Sequence, residues 1–191
     1  MRLPSAALLD ALSKAYSYPS EGIEETATAL GALAAEDCGG CFDDVRQFID
    51  ASSAFATRVD GQLAYTRLFI GSFKMEAPPY ASYYLDGEHL LAGKTAAEVR
   101  GVYRQFGIEL SADEKAPADH IRFLLAFLAL MARRWEETGA KAFAEAYEDF
   151  RDAYVRPWVR SFEELVDAHA DDEFYRRLAA LTVKVMDCLL Y

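Results

Sequence analysis

Residues 115–131 read KAPADHIRFLLAFLALM, and from Ile121 onward this is the most apolar run in the chain. Ile121, Leu124, Leu125, Leu128, Met131 and Trp135 recur at threes and fours and trace one helix face, while Phe123, Phe127 and Leu130 trace a second. A helix that is apolar on most sides is a central one, enclosed by other helices. The run contains Arg122 and falls well short of the roughly 18 apolar residues of a membrane span. Asp119 and His120 stand at its mouth. With Pro117 at the first helical position, Asp119 falls in the first turn, where the helix dipole favours a carboxylate by roughly 0.3–1 kcal/mol. That accounts for Asp119 but not for His120, whose charge is the less favoured one at that end. Neighbours on a helix diverge by about 100°, so the two side chains are poorly placed to act on each other as a catalytic dyad.

The helical period continues on both sides. Leu8, Leu9, Leu12, Ala15 and Tyr16 form one face, with Pro4 in its first turn and Pro19 at its end. Residues 23–35 are Ala-rich and helical in pattern up to Gly39-Gly40, and Phe42, Val45, Phe48, Ile49 and Phe55 make another stripe. Leu63, Leu68 and Phe69 belong to a further helix that stops near Gly71, and residues 94–106 form one that ends at Gly107. Downstream, Phe143, Tyr147, Phe150, Tyr154, Trp158, Phe162 and Leu165 keep the same rhythm, with a break expected at Pro157. Phe174, Leu178, Leu181, Val185 and Leu189 complete it. Strand alternation, a βαβ rhythm and internal repeats are missing. The expected fold is therefore all-α, a single domain over residues 1–191 with about seven to nine helices. One long segment, GSFKMEAPPYASYYLDGEHLLAG at 71–93, has no helical pattern and is rich in tyrosine. It either offers rigid aromatic contacts to a partner or covers one edge of the core.

Charge narrows the function. Lys plus Arg number 20 against 31 Asp plus Glu, a formal charge of −11. That balance disfavours nucleic acid and anionic lipid and favours cationic partners such as basic peptides. The N-terminal stretch, interrupted by Asp10 and Lys14, does not read as a signal peptide, which points to the cytoplasm. Cys38, Cys41 and Cys188 are an odd set without a disulfide framework. The lone Cys38-Gly-Gly-Cys41 lacks the further ligands of a zinc site, so no metal is expected. His89, His120 and His169 lie far apart, and neither a HExxH motif nor a phosphate-binding loop is present. No cofactor and no catalytic set is indicated.

Several short motifs occur together in order: Tyr65-Thr-Arg-Leu68-Phe69, Pro78-Pro79-Tyr80-Ala-Ser82-Tyr83-Tyr84-Leu85-Asp86, Pro117-Ala-Asp119-His120-Ile121, Arg156-Pro157-Trp158 and Phe174-Tyr175-Arg176-Arg177-Leu178-Ala179. In these the chain resembles the TorD/DmsD/NarJ group of redox-enzyme maturation chaperones, nearest the DmsD and TorD branch. The resemblance is good from about residue 60 to the C-terminus, and in the first 60 residues rests on length and helicity. Ala116 stands where close relatives often carry an acidic residue, and Tyr80 and Tyr84 where the DmsD branch tends to carry tryptophan.

The resemblance implies a non-enzymatic, all-α cytoplasmic chaperone, monomeric or domain-swapped. It would bind the twin-arginine leader, or another segment, of the apo-form of a molybdopterin-dependent catalytic subunit until cofactor insertion and folding are complete. It carries over Leu68, Phe69, Pro79, Tyr80, Ser82, Tyr84, Asp119 and His120 as the peptide site. Asp119 would then meet a leader arginine beside exposed aromatics, and His120 would donate to a peptide carbonyl or sense protonation near neutral pH. The rival reading is a helical enzyme or a nucleotide- or small-molecule-binding protein that uses Asp119, His120 and the tyrosine loop as a pocket.

Overall fold

The computed structural model describes residues 3–19, 23–37, 58–71, 74–87 and 89–187. Among them are nine α-helices and no strand, in keeping with the all-α expectation. Cys38, Cys41, Cys188, Leu189 and the stripe from Phe42 to Phe55 lie outside the described residues.

The run from Ile121 builds the central helix, α6 (Ile121–Thr138), which ends where Gly139 turns left-handed at φ +64° and returns its N–H to Trp135 O at 2.8 Å. Its chief neighbour is α1 (Ala6–Ala15), whose Leu8, Leu9 and Leu12 are buried. Ser5 caps α1 by accepting the Leu8 N–H, so Pro4 precedes the cap and does not lie in the first turn. Further bonds tie α1 to α6: Glu136 accepts the Ala6 N–H at 2.9 Å, Ser13 Oγ donates to Arg122 O at 2.7 Å, and Asp10 pairs with Arg133. On the outer side of α1 lies α2 (Ile23–Asp37).

α3 (Arg58–Tyr65) passes without a break into a π-helical turn, Thr66–Ile70, closed by Gly71 at φ +66°, whose N–H reaches back to Thr66 O at 2.7 Å. A Cβ on Gly71 would fall 2.1 Å from Lys74 O, so the turn needs glycine in space as well as in dihedral angle. The extra residue of the π turn shifts the helical phase. Leu68 and Phe69 are buried, whereas Leu63, expected in the same helix, is 65% exposed.

Within the segment expected to be irregular sits a short helix, α4 (Ala81–Leu85). Asp86 follows it and caps α5 (Lys94–Gln105), accepting the Thr95 N–H and hydroxyl. α5 ends at Gly107 as its sequence suggests. α7 (Lys141–Tyr154) packs on α6. At Val155 the chain breaks and starts α8 (Arg156–His169), with Pro157 in its first turn, where a missing N–H costs nothing. α9 (Glu173–Asp187) lies along α8 and touches α1.

An aromatic cluster joins these helices. Phe69 sits edge-on to Tyr16, Tyr65 and Tyr175 and tilts against Phe162, with ring centroids 5.0–6.3 Å apart. Tyr65 Oη donates to Tyr16 O at 3.1 Å, and the Tyr16 hydroxyl bonds to Thr182 Oγ1 at 3.0 Å. Burial pushes the Tyr16 phenol pKa up. Among the described residues no helix is long and apolar enough to cross a membrane.

Candidate functional site

Three stretches of chain meet at the head of α6. Leu68, in the π turn, accepts the Ala77 N–H through its carbonyl at 2.9 Å, which anchors the approach to Pro78-Pro79. Tyr80 then pairs with His120 in one antiparallel bridge: Ile121 N–H donates to Pro79 O at 2.9 Å, and Ala81 N–H to Asp119 O at 3.1 Å. Proline can take part here because the bridge asks it only for a carbonyl. Tyr103 Oη adds a bond to Ala118 O at 3.1 Å.

This pairing changes the reading of the helix start. Residues 118–120 are drawn to the 79–81 strand-like piece, and α6 begins at Ile121, not at Pro117. His120 is the N-cap, with extended backbone, and its Nδ1 accepts the Arg122 N–H at 3.2 Å. Asp119 is outside the helix altogether. Its side chain caps a different one: Oδ2 accepts the Ser82 N–H of α4 at 2.7 Å, where Tyr80, the N-cap residue, offers no side-chain bond.

Burial decides what the pair can do. Asp119 is 0% and His120 3% exposed. A carboxylate wholly enclosed and bonded to Ser82 is not presented to solvent, so the expected placement beside exposed aromatics is corrected: it holds the Ser82 N–H. The histidine's expected role as a sensor near neutral pH is also corrected. Burial first, then nearby Arg122, lowers its pKa from 6.5 to about 3, so the ring is neutral at physiological pH. With Nδ1 accepting, the neutral ring carries its proton on Nε2. The two side chains serve different helices, Asp119 α4 and His120 α6, but with Asp119 outside the helix the 100° step expected between them does not apply.

The other candidates fall on the same three stretches. Leu68, Phe69, Pro79 and Ser82 are buried, while Tyr80 and Tyr84 are half-buried. Tyr80 lies edge-on to His120 at 5.0 Å, and its phenol is raised by burial first and by Asp119 second. Tyr84 stacks on Trp158 at 5.0 Å and 17°, so this tyrosine does cover an edge of the core, and Tyr83 meets its edge at 5.0 Å. Asp119 Oδ1, Ser82 Oγ and Tyr84 Oη are buried without a hydrogen-bond partner among the described residues. Such orphaned polar atoms reduce stability.

Other residues, not assigned to the site from the sequence, lie nearby. Arg122 pairs with Glu114 and lies over the Phe123 ring, 4.3 Å from its centroid. A lone arginine in the most apolar run was the available signal. Tyr18, Val59, Leu63 and Ile70 are exposed apolar residues on or beside α3 and its π turn, and Tyr18 packs edge-on to Tyr65 at 5.5 Å. Two cavities, of about 350 Å³ beside α5 and about 540 Å³ between α1, α2 and α6, are lined by neither Asp119 nor His120.

Comparison with known proteins gives a consistent result. Residues 20–164 match the profile of the family described as nitrate reductase delta subunit. The Tat proofreading chaperone DmsD of Salmonella typhi is 29% identical over 167 residues, 86% of this chain and 78% of that protein. The chaperone protein TorD of Aliivibrio fischeri is 31% identical over 149 residues, 74% of this chain and 69% of that one. Among solved structures, a protein from Archaeoglobus fulgidus assigned to redox enzyme maturation superposes with a TM-score of 0.64 at 25% identity, over 98% of this chain and 97% of its own.

Proposed function

The chain belongs to the nitrate reductase delta subunit family and is a system-specific chaperone of redox-enzyme maturation, and from that premise we propose that it recognises the twin-arginine leader of a molybdoenzyme catalytic subunit in the cytoplasm and holds the apo-subunit before export. The observation that carries this reading is the knot at the head of α6. Eight residues spread from Leu68 to His120 lie on three stretches bonded to one another through Leu68–Ala77, Pro79–Ile121 and Asp119–Ser82. Asp119 and His120 hold the knot. Tyr80, Tyr84 and Phe123, each half-buried, form its reachable aromatic rim. Beside it, Val59, Leu63 and Ile70 supply apolar surface for the hydrophobic part of a leader. The formal charge of −11 favours a cationic segment. A small-molecule role for Asp119 and His120 has no support from the geometry, since both side chains are enclosed.

The test is calorimetric titration with synthetic leaders of the source organism's own molybdoenzymes. Binding at micromolar affinity or tighter is expected, with negative ΔCp and weakening at higher salt. Tyr80→Ala should lose affinity as an aromatic anchor does, by about 2 kcal/mol or more, a larger effect than the stability lost with its contact to His120. If no encoded leader binds, the leader reading fails, and the client must be recognised through another segment.

A further inference from the structure

Arg122 is held as a bound arginine would be. Its guanidinium lies against the Phe123 face, 4.3 Å from the ring centroid, and pairs with the Glu114 carboxylate. A planar cation on an aromatic face beside a carboxylate is the usual way a protein grips a guanidinium, and lysine fits it less well. Glu114 is itself oriented, because its Oε1 accepts the Ala116 N–H at 3.0 Å. The arrangement opens to solvent, with Arg122 and Glu114 side chains 26% and 24% exposed. It also adjoins the knot: Tyr80 and Tyr65 both feel the charges of Arg122 and Glu114.

Nothing in the backbone requires an arginine at this position. The Arg122 N–H bonds to His120 Nδ1 and its carbonyl accepts from Ser13, and both bonds are independent of the side chain. Arg122 also stands in the first turn of α6, at the positive end of the helix dipole, where a cation is disfavoured. The side chain is therefore a removable occupant of a site whose walls belong to other residues. We propose that Glu114 and Phe123 form a seat for one arginine of the bound leader, filled in the free protein by the chain's own Arg122, which swings out when the peptide docks. The proposal rests on the leader reading above and adds to it a competitor. Only a peptide bringing its own guanidinium can replace the one displaced, so Arg122 sets a threshold against lysine-bearing or merely apolar segments.

The experiment uses the full chain and its Arg122→Gln, Arg122→Gln/Glu114→Gln and Arg100→Gln variants, each checked for fold by circular dichroism. Each is titrated with a twin-arginine leader peptide and with its twin-lysine counterpart. Arg122→Gln should bind the twin-arginine peptide about tenfold more tightly than the native chain, and the twin-lysine peptide within about twofold of it. The double variant should lose the gain. Arg100→Gln, which makes the same charge change on the exposed face of α5, should show no gain. An unchanged or weaker Arg122→Gln overturns the proposal, as does a gain shared by the lysine peptide or by Arg100→Gln, which would reduce the effect to net charge. A second arm needs no leader: millimolar L-argininamide should shift the Phe123 ring signals of Arg122→Gln in NMR spectra and leave the native chain unaffected. No response there overturns the seat even when leaders bind. A response with no leader bound by any variant sinks the leader reading, and the assignment of the seat to a leader arginine with it.

Discussion

Replacing Asp119 by alanine separates a positioning carboxylate from a recognition carboxylate. In the structure Asp119 is fully enclosed, and its Oδ2 takes the Ser82 N–H at 2.7 Å. Removing it leaves that N–H buried without an acceptor and strips α4 of its cap. An unsatisfied buried donor costs about 1–3 kcal/mol, and loss of a helix N-cap about 0.5–2 kcal/mol; these describe one lost bond and are not added. The carboxylate's own orphaned Oδ1 offsets part of the loss, since its desolvation is relieved. The expected net destabilisation is about 1–2 kcal/mol, which for a chain of this size lowers the thermal midpoint by about 2–4 °C per kcal/mol. Asp119→Asn keeps an acceptor oxygen and should fall between the native chain and Asp119→Ala. Two measurements suffice: the unfolding midpoint, and hydrogen exchange of the Ser82 amide, which should quicken in Asp119→Ala before other amides do. A native midpoint with native Ser82 protection would falsify the capping role and return Asp119 to direct recognition.

Other expectations follow from the same geometry. The folded pKa of His120, about 3, lies below its ordinary 6.5. The unfolded chain therefore takes up the proton first, so the stability from neutral His120 is complete above about pH 6.5 and declines as pH falls toward 3. Between pH 7.5 and 4.5 the native chain should lose more stability in urea than His120→Asn, which keeps a capping oxygen; equal losses would exclude the effect. Gly101, inside α5 with open space where a Cβ would go, should accept alanine with a gain of about 0.5–1 kcal/mol in denaturant midpoints. Gly71→Ala, whose Cβ meets Lys74 O, should instead be clearly destabilising. Tyr84→Leu should lose about 0.5–1.5 kcal/mol beyond its burial, because the stack on Trp158 goes, and should change tryptophan emission; unaltered emission would argue against the stack.

The helices were legible because their evidence is local. Ile121 to Met131 could only be central, and Pro157 marked a boundary wherever its neighbours lay. The start of α6 was misjudged because Pro117 obeys the local rule for a first helical position, while the tertiary pairing of Tyr80 with His120 overrides it. The enclosure of Asp119 was invisible for a related reason: its partner is an N–H 37 residues away. That Leu63 faces outward while Leu68 and Phe69 face inward was not legible either, because the backbone departs from the 3.6 period in Thr66–Ile70. The eight candidate residues were proposed as a set through motifs, and the motifs did not tell which of them are enclosed and which reach the surface. Arg122 was noted only as a charge that interrupts the apolar run, because a charged residue in an apolar helix reads as a surface position until its guanidinium is seen on Phe123.

The π turn has a bearing on sequence length. Each residue of an α-helix advances its neighbours by about 100° around the axis. A chain with one residue fewer in Thr66–Ile70 could run straight on as an α-helix, but everything before it would rotate by that angle relative to Leu68 and Phe69. Tyr65 would swing away from Phe69 and from the Tyr16 carbonyl, and the outward row of Val59 and Leu63 would point elsewhere. The insertion thus couples two requirements that an uninterrupted helix cannot meet together: an aromatic anchor facing in at Phe69, and an apolar strip facing out a turn or two earlier. A single-residue deletion here is consequently a change of surface, more than a change of loop length.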